Sequence, residues 1–315
     1  MHDFLHKYPL ILMEAAITEP LGRMEYLTLH PTLTVSPLIY DDRGRCELEK
    51  LYLGCLQVAR AAELPFVMLT PTWRANAERV KGADVPARIN ADATQFMRGL
   101  RDQYGGYKAM IKIGGLIGPW NDAYRPREGL TPTDAEQFHA WQIDQLTQNG
   151  VDFLVAETLP AVPEAIGMAR AMAKTGLPYV ISFVIDRNGL VLDGTDLPTA
   201  VSTIDAATVT KPLGFMVNCS YPTFLHAGEQ PRVLFERLIG YQANASSLDH
   251  EALDNAAEVH GEDVSAWGRA MLALNRDHGV RMLGGCCGTG VAHLHYIAKH
   301  FAARERQSHD PNGLS

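Results

Sequence analysis

Three of the chain's five cysteines sit among residues that suggest chemistry. Cys219 lies in Val217-Asn218-Cys219-Ser220, and Cys286 and Cys287 are adjacent in Gly284-Gly285-Cys286-Cys287-Gly288-Thr289. Thiolates are strong zinc ligands, and three of them around one Zn2+ leave a fourth tetrahedral position for a substrate. Glycines beside the pair remove side chains and admit unusual backbone angles, which would let both sulfurs turn to one point. A cysteine without such company is usually a small buried hydrophobe, the role expected of Cys46 and Cys55. An odd cysteine count in a long chain also argues against a disulfide framework. His293, His295 and His300 follow the cysteine pair at helical spacing. They are expected to be solvated or to cap a helix, because three sulfurs already leave the one open position that catalysis needs. No Gly-x-Gly-x-x-Gly or Walker-type loop follows a strand, so no nucleotide cofactor is expected.

Sulfurs so far apart in sequence can meet only if the fold gathers strand ends at one place. Eight short apolar runs read as strands: Leu10–Ala16, Phe66–Pro71, Ala109–Gly115, Asp152–Glu157, Tyr179–Ile185, Gly214–Cys219, Leu238–Asn244 and Arg281–Cys286. Runs such as Phe66-Val67-Met68-Leu69 suit parallel strands buried on both faces. Amphipathic patterns lie between them, at Glu47–Ala62, Pro132–Asn149, Pro163–Thr175, Pro231–Leu238 and Ala266–His278. Gly150, Gly176 and Gly279 stand where helices would stop. The expected fold is α/β: one (β/α)8 barrel over residues 1–303, followed by a polar, frayed tail over 304–315. Two Pro-rich segments, Glu25–Arg45 and Ile117–Pro132, read as long βα-loops at the C-terminal mouth, where barrel active sites are built. Cys219 and the Cys286–Cys287 pair close the sixth and eighth strands, so both open on that mouth.

Composition narrows the partners. Of 315 residues, 46% are hydrophobic and 20% charged, which excludes disorder over most of the chain. Lys and Arg number 28 against 36 Asp and Glu, a net charge of −8, so nucleic acid is not an expected partner. No run approaches the ~18–20 apolar residues of a membrane span. The early run Pro9–Ile17 is broken by Glu14 and lacks signal-peptide features, so a cytoplasmic protein is expected. Oligomeric state is not readable.

The two cysteine motifs together resemble the zinc signature of the homocysteine S-methyltransferase family. Gly114-Gly115-Leu116-Ile117-Gly118-Pro119 is similar to that family's Gly-Ser-Ile-Gly-Pro segment. Ala156-Glu157-Thr158-Leu159-Pro160 is similar to its fourth-strand Glu-Thr-(Ile/Leu)-Pro motif, and Ser182-Phe183 with Asp193-Gly194-Thr195 to its fifth-strand region. The likeness runs from about Leu10 to Phe301. It implies a zinc ion on Cys219, Cys286 and Cys287, homocysteine as acceptor and a cationic methyl donor. The sulfonium S-methylmethionine is the first choice of donor and betaine another. The family's folate- and cobalamin-linked members carry extra domains not seen in these 315 residues, so folate and cobalamin are not the expected donors.

By the same resemblance, Glu157 binds the acceptor's ammonium, with Glu14 as a second acid; otherwise Glu157 would serve the N-terminus of the next helix. Asn218 would orient a cysteine or the substrate. Thr289 and the amides after Cys287 would receive a carboxylate at a helix N-terminus. Trp73, Trp120 and Tyr124 are candidate aromatic faces for a cationic donor. Three segments depart from the family pattern: Met13-Glu14-Ala15-Ala16 for Asp-Gly-Gly, Thr70-Pro71-Thr72 for Thr-Asn-Thr, and Tyr241-Gln242-Ala243-Asn244-Ala245 for Tyr-Pro-Asn-Ser-Gly. They place acceptor identity in question, so a different thiol or donor is one alternative. A non-catalytic zinc-binding relative, its fourth position filled by a residue such as His293, is another.

Overall fold

A computed structural model describes residues 1–249 and 261–309. Its eight strands are β1 (Ile11–Met13), β2 (Phe66–Leu69), β3 (Ile111–Ile117), β4 (Phe153–Leu159), β5 (Tyr179–Phe183), β6 (Gly214–Asn218), β7 (Leu238–Ala243) and β8 (Met282–Gly285). They pair in chain order, all parallel, and β8 returns to β1 with Met282 opposite Ile11. The expected (β/α)8 barrel is therefore the fold.

A principal helix follows each strand: α1 (Asp42–Ala61), α2 (Ile89–Asp102), α3 (Pro132–Gln148), α4 (Val162–Ala173), α5 (Leu197–Ala207), α6 (Arg232–Phe235), α7 (Val264–His278) and α8 (Val291–His309). Short polar side chains set several starts. Asp41, Thr131 and Asp196 accept the N–H of Gly44, Asp134 and Thr199 respectively. Gly150, Gly176 and Gly279 all have positive φ, as helix-terminating glycines should.

Alternation along each strand separates two apolar populations. Ile11, Met13, Val67, Leu69, Phe153, Val155, Val180 and Met216 pack together inside the barrel, with Leu5 of the N-terminal helix His2–Lys7. Leu10, Leu12, Phe66 and Met68 belong to the outer layer that the helices cover. The interior leaves no room for one more side chain at Gly114. A Cβ there would come within 2.6 Å of Leu69 and 2.7 Å of Phe153.

Several boundaries differ from those expected. β3 begins at Ile111 because Gly105–Met110 winds into a 3-10 turn, with Gly105 at φ +52°. The Pro231–Leu238 helix shrinks to Arg232–Phe235, since Leu238 already pairs with Phe215 in β7. Helix α1 starts at Asp42 because Asp41 caps it, and Ser36–Tyr40 forms a 3-10 turn, so the loop Glu25–Arg45 is partly regular. Helix α8 runs to His309 through the first part of the expected tail; residues 310–315 lie outside the described residues. Cys46 is exposed, contrary to its expected burial, because Leu48, Tyr52 and Cys55 occupy the inward stripe of α1. No helix among the described residues is long and apolar enough to cross a membrane.

Candidate metal centre and substrate cavity

The sulfurs of Cys219, Cys286 and Cys287 lie within 4.8 Å of one another at the C-terminal mouth. Tetrahedral zinc at ~2.3 Å from each sulfur would set them about 3.8 Å apart, so the donor set fits this metal with small adjustment. Hydrogen bonding to Cys219 and Cys287, together with burial, holds the Cys286 thiol well above its usual range. Three thiolates this close need a cation to be stable together.

The strand between the ligands, β7, holds their backbone. Cys219 N–H donates to Gln242 O at 3.0 Å and Cys286 N–H to Ala243 O at 2.7 Å. Ala245 N–H donates to Cys287 O at 2.9 Å, and the Asn244 amide to Cys219 O at 2.9 Å. Asn244 was expected beside the acceptor; it is instead buried behind the cysteines, and Gln242 is the β7 residue that lines the cavity. Sequence reasoning missed this backing role because backbone hydrogen bonds leave no residue signature.

Asn218 sits below the sulfurs. Its carbonyl accepts Thr158 N–H at 2.8 Å and Ser182 Oγ–H at 2.7 Å, and its amide donates to Thr158 Oγ1 at 2.7 Å and Cys219 Sγ at 3.3 Å. Of the two partners expected for it, the cysteine is the one its amide reaches in the structure. Thr158 and Cys219 both adopt left-handed backbone, φ +61° and +54°, which costs a non-glycine residue about 1–2 kcal/mol. The Asn218 bonds tie these two strained residues together.

The glycines preceding the cysteine pair serve space rather than unusual angles. Neither has positive φ; only Gly288 does, at +77°. A Cβ on Gly285 would fall 2.1 Å from Thr289 Oγ1, and one on Gly284 would fall 2.6 Å from Met13 Cβ.

A cavity of about 580 Å3 opens beside the cysteines, and both predicted acids line it. Glu14 Oε2 accepts Leu69 N–H at 2.6 Å. Burial raises the Glu14 carboxyl well above the usual range against that bond, and the nearby Glu157 charge adds to the rise. Glu157 Oε1 is buried and receives no hydrogen bond, and burial pushes its carboxyl up to about 8. The alternative role for Glu157, serving the next helix, is filled by Asp193, whose carboxylate accepts Val162 N–H at 2.7 Å.

The expected carboxylate site at the start of α8 is occupied by the chain itself. Gly288 N–H donates to the Glu19 carboxylate, while Thr289 Oγ1 accepts Ala16 N–H at 3.2 Å and donates to Cys286 O at 2.6 Å. His293 is buried rather than solvated. Its Nδ1 accepts Gly290 N–H at 3.1 Å, so it does cap the helix, and its ring packs edge-on against Trp267. His295 and His300 are exposed.

The aromatic candidates separate. Trp73 and Tyr124 line the cavity; Trp120 does not, and its indole N–H donates to Glu78 at 3.1 Å. One face of Trp73 is already covered by the Arg74 guanidinium, 4.1 Å from the ring centroid. Arg74 and Arg79 also line the cavity, two charged residues that no motif had marked. Pro71 is on the wall as well, while its neighbours Thr70 and Thr72 bond the backbone of Leu116 in β3.

Comparison with known proteins places this geometry in a lineage. The model of the homocysteine S-methyltransferase family matches residues 51–301. Homocysteine S-methyltransferase YbgG of Bacillus subtilis is 24% identical over 201 residues, 59% of this chain and 60% of that protein. Homocysteine S-methyltransferase 4 of Zea mays is 25% identical over 194 residues, 58% of this chain and 53% of that protein. The chain thus spans about half to six tenths of the length of the curated relatives it matches. The metallated form of the homocysteine methyltransferase MmuM from Escherichia coli matches with a TM-score of 0.71, covering 95% of this chain and 98% of that one at 19% identity. That likeness is one of fold.

Proposed function

The chain belongs to the homocysteine S-methyltransferase family, and from that premise we propose that it moves a methyl group from a sulfonium donor of the S-methylmethionine type to the thiol of homocysteine, forming methionine. The observation that carries this reading is the convergence of three sulfurs within 4.8 Å beside a cavity that also presents the unbonded Glu157 Oε1. Cys219, Cys286 and Cys287 would hold Zn2+, which supplies a Lewis acid that keeps the acceptor sulfur deprotonated at neutral pH.

The chain's own residues do the rest by placement. Glu157 accepts the acceptor's ammonium at its unbonded oxygen, and an adjacent cation draws its raised carboxyl back to the ionised form. Glu14, anchored on Leu69 N–H, adds negative potential to the same region. Asn218 fixes the direction of the Cys219 sulfur. The acceptor sulfur then attacks the methyl carbon in line. A new S–C bond forms as the donor's C–S+ bond breaks, the donor leaves as a neutral thioether, and the acceptor's thiol proton passes to solvent. Little acid–base machinery is needed, so alignment and thiolate generation carry the rate.

The test is zinc content per chain, with methionine formation from homocysteine and S-methylmethionine measured in the same preparation. About one zinc with product supports the reading. One zinc without product moves the question to a different thiol or donor such as betaine, and no zinc under reducing preparation rejects it.

A further inference from the structure

Resting on the methyl-transfer reading above, we infer that Arg74 and Arg79 form an anion subsite that holds a carboxylate at the far end of the methyl donor. Both guanidiniums line the cavity that contains Glu14, Glu157 and the three cysteines. Both are half-buried. Arg74 donates to Asn121 O and lies flat against Trp73, and Arg79 donates to Trp120 O at 3.0 Å. Each is therefore held in place by backbone or ring, with several N–H groups of its fork uncommitted. Among the described residues neither makes an ion pair at contact distance, although Asp122 and Glu164 act on Arg74, and Glu78 on Arg79, from further away.

The other wall acids are already engaged. Asp122 pairs with Arg125 at 3.4 Å and accepts Tyr124 N–H at 2.9 Å, and Glu19 pairs with Arg23 at 3.0 Å and takes Gly288 N–H. Burial and the neighbouring Arg79 charge lower Arg74 to about 10, so it stays a cation at neutral pH. Two desolvated like charges, pre-oriented and lacking an ion-pair partner, gain most from an anion that a planar fork can grip. A carboxylate meets that need.

The position favours the donor over the acceptor. The acceptor's thiol and ammonium are claimed by the cysteines and Glu157. The arginines instead stand on the connection after β2, where Thr70-Pro71-Thr72 departs from the family pattern. The donor's methyl-bearing cation would face the sulfurs and its carboxylate the arginines. The acceptor's own carboxylate is the other source of the same chemistry, and kinetics separate the two.

The experiment titrates S-methylmethionine and its uncharged α-carboxamide into the full-length protein by calorimetry, then measures transfer from each to homocysteine. Wild type should bind the carboxylate form about tenfold or more tightly. Arg74→Gln and Arg79→Gln, each checked by thermal melting, should cut that preference below about threefold and raise the donor KM about tenfold while the homocysteine KM stays within about twofold. Arg74→Lys should keep part of the preference, since it retains the charge and loses the fork. Equal binding of the two probes, binding of neither, or a rise confined to the homocysteine KM overturns the inference. Product formed equally well from both donors rejects the subsite and leaves the activity. An Arg-dependent binding difference with no product supports the subsite and rejects homocysteine as the acceptor, moving the question to a different thiol.

Discussion

Glu14 and Glu157 face one cavity with opposite hydrogen-bonding states: Glu14 Oε2 accepts Leu69 N–H at 2.6 Å, whereas Glu157 Oε1 is buried without a partner. An unbonded buried carboxylate oxygen is destabilising in the ligand-free protein and ready for a cationic ligand.

The pH dependence follows with a definite sign. The folded protein keeps the Glu157 proton up to about 8, while the unfolded chain releases it near 4.5. Between those values the folded state binds more protons, so this group's contribution to stability falls as pH rises. Glu157→Gln should stabilise the ligand-free protein at pH 8.5, by on the order of 2–4 kcal/mol once relaxation around the charge is allowed for. The gain should shrink toward pH 4.5. The same variant should lose about 10- to 100-fold in kcat/KM for the acceptor. Melting curves at two pH values and steady-state kinetics check both halves; equal melting at pH 8.5 would contradict the assignment.

Cys287 is the most exposed of the three cysteines and is not part of the barrel core. Cys287→Ser should leave far-ultraviolet circular dichroism unchanged, lose most bound zinc and abolish methyl transfer. Metal analysis of the purified variant is the readout, and full zinc retention would remove Cys287 from the ligand set.

Asn218 joins Thr158, Ser182 and Cys219 in one buried network. Asn218→Ala leaves Thr158 N–H unsatisfied, at a cost of about 1–3 kcal/mol. Zinc affinity should fall about 10- to 100-fold, as for other groups that orient a ligand. A competition titration with a chelator measures it, alongside a denaturant melt; unchanged affinity despite a lower melting point would reduce Asn218 to a packing role.

Gly285→Ala drives a methyl group into Thr289 Oγ1, 2.1 Å away by ideal geometry. The hydroxyl must move and release either Ala16 N–H or Cys286 O. A loss of about 1–3 kcal/mol is expected. Thr289→Ala combined with Gly285→Ala should recover part of it by making room. Urea unfolding of the single and double variants decides.

Much of this was legible in the sequence. Continuous apolar runs marked buried parallel strands, and the three cysteines marked the mouth because two strand ends carry them. Glu157 and Asn218 were recoverable through the motifs around them. The placements of Asn244, Arg74, Arg79 and Glu19 were not. Asn244 acts through the Cys219 carbonyl, an interaction any strand residue could make without a distinctive neighbour. Arg74 reaches the cavity from a loop and Arg79 from the five-residue helix Ala77–Lys81, segments too short for periodicity to encode their path. Glu19 reads as an ordinary surface acid until the fold brings it to Gly288, 269 positions away. Among the glycines of the cysteine motif, Gly288 takes an unusual backbone angle and Gly284 and Gly285 are needed for their missing side chains, but which neighbours they make room for, Met13 and Thr289, is a three-dimensional fact.

The contacts between the two ends of the barrel also impose an order in time. Gly285 N–H donates to Glu14 O, Ala16 N–H to Thr289 Oγ1, and Gly288 N–H to Glu19. Each joins a residue of the segment after β1 to one of the segment at or after β8, with the six intervening βα units made between them. Earlier βα units can pair as they emerge, because their contacts are local, whereas the cavity floor must wait for β8. A nascent chain stalled before β8 would carry most of the scaffold and two unprotected sheet edges, one on β1 and one on β7, but no complete set of sulfurs. Chemical competence thus arrives in the same event that seals the barrel.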